Sequence, residues 1–266
     1  MQADLIIKKI GSLFSLRWQP GKDLIVVMLS WILVVGALYT ATVIIGPGTG
    51  GGLPYFFLYA VLAATVFGIG IPLGWMVIIR KRPLADLGIT KRHLGVSLLL
   101  QVIFTAIILP GGLSGLSIPA WGKIIPLIGL SLAIGFFEAV FWRGWMLNRL
   151  EEAFGFLPAA LVGSALYAAY HIGYAMPFSE ITFLFFIGLM YAAAFKLTGS
   201  IFILWPLFQP SGQLITLIKD GLDLPILATL GFVEVFIVMA VLVWLAGRTL
   251  KKKKQVKNQP ELANPV

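Results

Sequence analysis

The stretch IIPLIGLSLAIGFFEAVFWRGWML, residues 124–147, decides the fold, and in it only Glu138 and Arg143 are charged. About 20 mainly apolar residues are enough for a helix to cross the hydrocarbon of a bilayer. The stretch therefore reads as a membrane span with two costly charges inside it. The same reading repeats along the chain at 24–45, 55–79, 94–110, 156–174, 181–197, 200–218 and 224–246. Composition agrees: 59% of the 266 residues are hydrophobic and 12% are charged, and the mean hydropathy is +0.96. Soluble domains are about 45–50% apolar and about 25% charged, so lipid must be the solvent for much of this surface. The predicted fold is an all-α polytopic bundle of about eight transmembrane helices.

The net charge of +9 is placed beside the spans rather than on a soluble face. Lys8, Lys9, Arg17 and Lys22 precede the first span, Arg80 to Arg82 with Lys91 and Arg92 follow the second, and Lys251 to Lys254 follow the last. The alternate connections are nearly free of Lys and Arg. This asymmetry predicts cytoplasmic termini at both ends and argues against nucleic acid as a partner. It divides the chain into a cytoplasmic segment 1–23, a transmembrane domain 24–247 and a basic cytoplasmic tail 248–266. No cleavable leader is visible in Met1–Asp23; Leu5 to Trp18 could instead lie along the interface as an amphipathic helix. The absence of cysteine excludes disulfides, thiol nucleophiles and cysteine metal sites. With two histidines and no His-Glu-x-x-His helix, no metal or other cofactor is expected.

Two loops resemble motifs superficially. Gly46 to Gly52 is glycine-rich but lacks the Lys-Ser/Thr ending of a phosphate loop, and reads as a flexible turn. Gly112-Leu113-Ser114-Gly115 matches the short serine signature of rhomboid proteases. Four-residue matches are common in a chain with 29 glycines, and one intramembrane histidine is available to activate Ser114.

Ionisable groups at the centre of a spanning helix cost about 2.5–3.5 kcal/mol each on insertion scales, so each is a functional hypothesis by default. Those here are Glu138, Arg143, His171 and Glu234, joined by the polar Gln209 and Gln213. At about 1.5 Å per residue, Glu138 lies about 21 Å along its span, His171 about 22 Å, Gln209 about 14 Å and Gln213 about 20 Å. In a core about 30 Å thick, three helices thus bring polar groups to similar depth. Glu138 alone could pair with Arg143, and a lone histidine can be structural; their shared depth favours a site.

The motifs carry a resemblance. Glu138-Ala139-Val140-Phe141-Trp142-Arg143 resembles Glu-Glu-x-x-x-Arg, the first motif of the CAAX-protease and bacteriocin-processing (CPBP) family of intramembrane glutamate-dependent proteases. Tyr167-Ala168-Ala169-Tyr170-His171 resembles the second, Phe-x-x-x-His. After Thr198-Gly199-Ser200, Gln209 and Gln213 stand where the third, His-x-x-x-Asn, is expected, and Pro83 to Ile89 is similar to the segment ahead of the family core, so the likeness spans about 84–218.

The resemblance implies that Glu138 is the general base, with His171 as its partner in activating water. It places Gln209 and Gln213 at the oxyanion positions and makes Arg143 and Tyr167 supporting residues. Spacing of four puts both amides on one helix face, where they can donate to a developing oxyanion. Pro206 and Pro210 are expected to kink that helix. The chain departs from the family at Ala139, which replaces the second Glu, and at Gln209, which replaces a proton-transferring His. On an α-helix Arg143 lies about 140° round from Glu138, so it is expected to reach Glu151, Glu152, lipid phosphate or the interface. Glu234 has no family counterpart and is expected to bond, protonated, to its own helix. Phe136, Phe137, Phe141, Trp142 and Trp145 read as packing and interface anchors.

The function implied is hydrolysis of a peptide bond in a membrane-associated or lipidated protein or peptide. The alternative is a catalytically degenerate relative that binds peptide or partner proteins. Transport is a third class, without the internal repeat that would support it. The expected setting is a multi-pass protein of a prokaryotic plasma (inner) membrane, in contact with lipid and a membrane-associated substrate; no oligomeric state is read from the sequence. Reporter domains fused after Arg82 and after Val266 should read cytoplasmic, and one at Gly50 should read outside. A cytoplasmic signal at Gly50 would remove the orientation.

Overall fold

The computed structural model describes residues 14–45 and 53–258. Seven helices among them are long and apolar enough to cross a membrane. They are α1 (Lys22–Ile45), α2 (Pro54–Ile79), α3 (Leu94–Leu113), α4 (Trp121–Phe154), α5 (Phe156–Tyr174), α6 (Phe178–Thr198) and, after the short α7 (Phe208–Lys219), α8 (Ala228–Lys251). No strand occurs among the described residues. The all-α polytopic bundle is therefore observed.

The crossing expected at 200–218 differs from the others. It consists of a 3-10 turn (Ile201–Ile203), an irregular stretch, and the 12-residue α7. Twelve residues reach about 18 Å as a helix, too short for a core about 30 Å thick. The segment nevertheless runs the depth of the bundle. At its start Ile201 N–H bonds the Gly88 carbonyl at 3.0 Å, beside a turn that packs on Gly144 of α4. At its end Asp223 pairs with Lys123 at 2.6 Å, near the first residue of α4. From Lys123 to Gly144 is about 31 Å of helix, so the segment is one crossing in broken form. The physical reason lies in Pro206. It has no N–H to continue a helix, and α7 starts only after it. Pro210 sits in the first turn of α7, where its missing N–H would have had no partner in the helix, so the expected kink is a break placed earlier in the chain.

α4 is the most buried span. Phe136, Phe137, Phe141, Trp142 and Trp145 are all buried, so they are core packing and not interface anchors. Beyond Leu147 the helix continues to Phe154, carrying its charges out of the apolar stretch. There Arg82 donates two hydrogen bonds to Glu152, at 3.0 and 2.6 Å, and one to Asp86 at 2.5 Å. The bonds to Glu152 hold the Arg82 guanidinium protonated above its ordinary range, against its partial burial. Lys196 pairs with Glu151. Arg17 and Gln19, in the segment before α1, donate backbone bonds to Phe154 and Ala153 at 3.1 and 2.9 Å, satisfying carbonyls that end α4. Most of the amphipathic segment expected at 5–18, the Gly46–Gly52 turn and the tail after Asn258 lie outside the described residues. Ser114 is at the exposed end of α3.

The turn Leu84–Leu87 packs directly on α4 because residue 144 is glycine. A Cβ there would stand 2.0 Å from the Leu87 carbonyl oxygen. Backbone cannot yield as a flexible side chain can, so Gly144→Ala should destabilise the protein by about 1–3 kcal/mol or more. Thermal unfolding in detergent checks this; an unchanged midpoint would show that the turn is free to move.

Candidate functional site

Glu138 is buried on α4, at the point where the helix passes from α winding to a π-helical stretch, Ala139–Leu147. Two amides converge on it from α7. Gln209 Nε2 donates to Glu138 Oε2 at 2.5 Å, and Gln213 Nε2 donates to the same oxygen at 3.0 Å. The spacing of four puts both on one face of α7, as their sequence spacing predicts. Their approach depends on Gly135: a Cβ there would be 2.7 Å from Pro210 Cγ and 3.4 Å from Gln213 Oε1. Oε1 of Glu138 takes no hydrogen bond among the described residues.

His171 ends the α-helical part of α5 and opens a 3-10 turn, His171–Tyr174. Its Nδ1–H donates to the Tyr167 carbonyl at 2.9 Å, which in neutral imidazole leaves Nε2 with the free lone pair. The ring meets Tyr167, Tyr170 and Tyr174 at centroid distances of 5.1, 4.8 and 5.6 Å. Glu138 and His171 make no direct hydrogen bond or ion pair.

Arg143 departs from its expected course. It is buried, and neither Glu151 nor Glu152 binds it. Its guanidinium lies over the rings of Tyr167 and Tyr191, at 5.1 and 5.8 Å from their centroids. The reason is the winding of α4. In an i→i+5 ladder the residue five positions on lies about one turn above, so Arg143 comes round toward the side of Glu138. The two side chains are within electrostatic reach of each other. Nη1 of Arg143, Nε1 of Trp142 and Oε1 of Gln213 are buried without a partner.

Sequence reasoning missed two features. The first is a group of five tyrosines, Tyr59, Tyr167, Tyr170, Tyr174 and Tyr191, all within electrostatic reach of Glu138. Tyr170 and Tyr174 hydroxyls are 2.6 Å apart, and Tyr174 donates to Tyr59 at 3.2 Å. Tyr167, Tyr170, His171 and Tyr174 follow one helical face, a spacing that could have revealed the cluster. The second is Gln101. With Ser97 and Thr105 it forms a buried polar stripe on α3 at a spacing of four. Its Oε1 accepts the Leu207 N–H at 2.9 Å, just where the crossing is broken. Among the described residues no three His, Asp or Glu side chains cluster as metal ligands.

The fold and these residues define a polytopic membrane protein with a buried glutamate, histidine and amide site. The family model described as type II CAAX prenyl endopeptidase Rce1-like matches residues 119–207, so that stretch of the chain is similar to a family of CAAX-type intramembrane proteases. The match includes Glu138, Arg143, Tyr167 and His171 and ends just before Gln209. No curated protein and no solved structure matches the chain.

The Gln101 contact yields a direct test. Gln101→Leu leaves the part-buried Leu207 N–H without its partner among apolar surroundings, which costs about 1–3 kcal/mol. Denaturant unfolding in detergent should show that loss; wild-type stability would mean that the break is held by other contacts.

Proposed function

We propose that the protein is an intramembrane endopeptidase of the CAAX-protease type, using Glu138 and His171 to activate water. The observation that carries this reading is the convergence of two amides from a broken crossing on Glu138, within the stretch similar to the Rce1-like family. Its substrate would be a membrane-associated or lipidated protein or peptide. Its setting would be a prokaryotic plasma membrane with both termini cytoplasmic, as the basic clusters beside the spans favour.

The chemistry follows from the lone pairs. Both amides act on Oε2 of Glu138, so Oε1 is the oxygen left to take a proton from water. His171, with Nδ1–H engaged, offers Nε2 to orient the same water. The water oxygen attacks the peptide carbonyl carbon and a C–O bond forms. Negative charge collects on the carbonyl oxygen. Each amide has two hydrogens and spends one on Glu138, so Gln209 and Gln213 can each donate the other to that oxyanion. Collapse breaks the C–N bond, and the proton held by Glu138 passes to the leaving amine.

A specific observation favours the second reading, a binding protein descended from such an enzyme. Both amides already serve the carboxylate, and neither can carry a proton as the family's histidine does. Incubation of the purified protein with prenylated and unprenylated membrane peptides separates the two. On the enzymatic reading, wild type cleaves, while Glu138→Gln and His171→Ala fold normally and do not; chelators leave the rate unchanged. Gln209→Ala should lower the rate by about 10²–10³-fold, the cost of removing a positioned oxyanion donor, and Gln209→His should raise it. Peptide binding without cleavage by any of these proteins would establish the binding role instead.

A further inference from the structure

Glu234 lies outside the site just described. The expected bond to its own helix is absent: among the described residues its carboxyl has no hydrogen bond and no ion pair. It is exposed, on α8, the least buried of the seven long spans. Its depth can be read from its neighbours. Phe232 Cβ would be 3.6 Å from a Cβ at Gly129, and the Phe236 ring lies 5.5 Å from Phe136, so Glu234 is level with the α4 residues between them. That is about 9 Å into α8 and about 17 Å along α4, well inside a core about 30 Å thick. Carboxyl groups at such depth almost always face a bundle interior or pair with another group. Headgroup phosphates lie at the membrane surface and do not share that depth.

The surface around Glu234 has a regular pattern. Leu230, Glu234, Ile237, Val241 and Trp244 are all exposed and alternate in steps of four and three. That is the seam of a helix pair with a 3.5-residue repeat, and a single polar residue within such a seam sets register. We propose that this face of α8 is the contact between two parallel copies of the chain, with Glu234 opposite its symmetry mate. A second copy inserted the same way is a partner whose matching group is at the same depth by construction. A carboxyl is also self-complementary: with protons present, each of the two can donate one O–H···O bond and accept the other. In a two-fold pair the same patch meets itself, so one unsatisfied residue per chain is satisfied in both chains at once.

The chain has no cysteine, so single introduced cysteines report contacts without background. Ile237→Cys and Val241→Cys on the seam, with Val66→Cys and Leu99→Cys on other exposed faces, are reconstituted in dilute lipid vesicles and oxidised. Seam positions should form disulfide dimers in clear excess over the other two. In the Val241→Cys background, Glu234→Leu should reduce the dimer about tenfold, the effect of losing the paired interhelical bonds from both chains, while Glu234→Gln, which still donates and accepts, should keep it. Equal cross-linking from all faces, no dimer from the seam, or an undiminished dimer with Glu234→Leu would each overturn the proposal. A different partner helix on this face would appear as the second of these outcomes. None of the readouts depends on peptide cleavage, so the contact and the proposed enzymatic function stand or fall separately.

Discussion

Backbone that leaves helical bonding inside a membrane must find other partners, because hydrocarbon offers none. The crossing between α6 and α8 meets that demand partly with a side chain of another helix and partly with its own. Gln101 of α3 accepts the Leu207 N–H, and Ser200 donates to the Thr90 carbonyl while accepting the Phe202 N–H. Trp205 adds a bond from its ring nitrogen to the Leu132 carbonyl of α4. With those groups satisfied, α7 can start within the bundle instead of at its surface. A helix beginning there presents Gln209 and Gln213 to Glu138, while a continuous helix through 200–218 would set their angular position by residues far from the site.

Charge balance is the second constraint, and it bears on Arg143. An Arg buried in apolar surroundings is expensive unless compensated. Here no carboxylate touches Arg143, but two tyrosine faces do. Such contacts are worth about 0.5–1 kcal/mol when exposed and about 2 kcal/mol or more when desolvated. Glu138 is within electrostatic reach but makes no direct bond to Arg143, which leaves its oxygens to the amides. The π winding of α4 makes the arrangement possible by turning Arg143 toward the glutamate. The tyrosines therefore receive the guanidinium where no carboxylate reaches it.

These two constraints also explain what was legible in the sequence. Long apolar runs have one physical reading, so the helices and the bundle could be read directly. Depth follows from counting residues, which is why Glu138, Gln209 and Gln213 could be grouped before their contacts were known, while His171, grouped with them by depth, makes no direct bond to them. Angular position does not follow from counting where the winding changes. Arg143 was expected to point away because an α-helical period was applied to a π-helical stretch. In sequence Pro206 and Pro210 look alike and suggest a kink, although only Pro206 interrupts helical bonding, so the structure has a break before α7. Tyr59, Tyr191 and Gln101 escaped notice because each lies on a different helix, and their relevance comes from packing between helices.

The double use of Oε2 bears most directly on what the site can do. A carboxylate gripped by two donors on one oxygen is held in orientation, and its other oxygen is left as the one place for a proton to enter. A histidine at residue 209 could have taken part in proton transfer; an amide cannot. On the proposed reading Glu138 must then accept the proton from water and deliver it to the leaving amine within one turnover. That demands an orientation kept through both steps, which the amides are placed to enforce. The same two bonds thus hold the glutamate in the geometry that this reading requires.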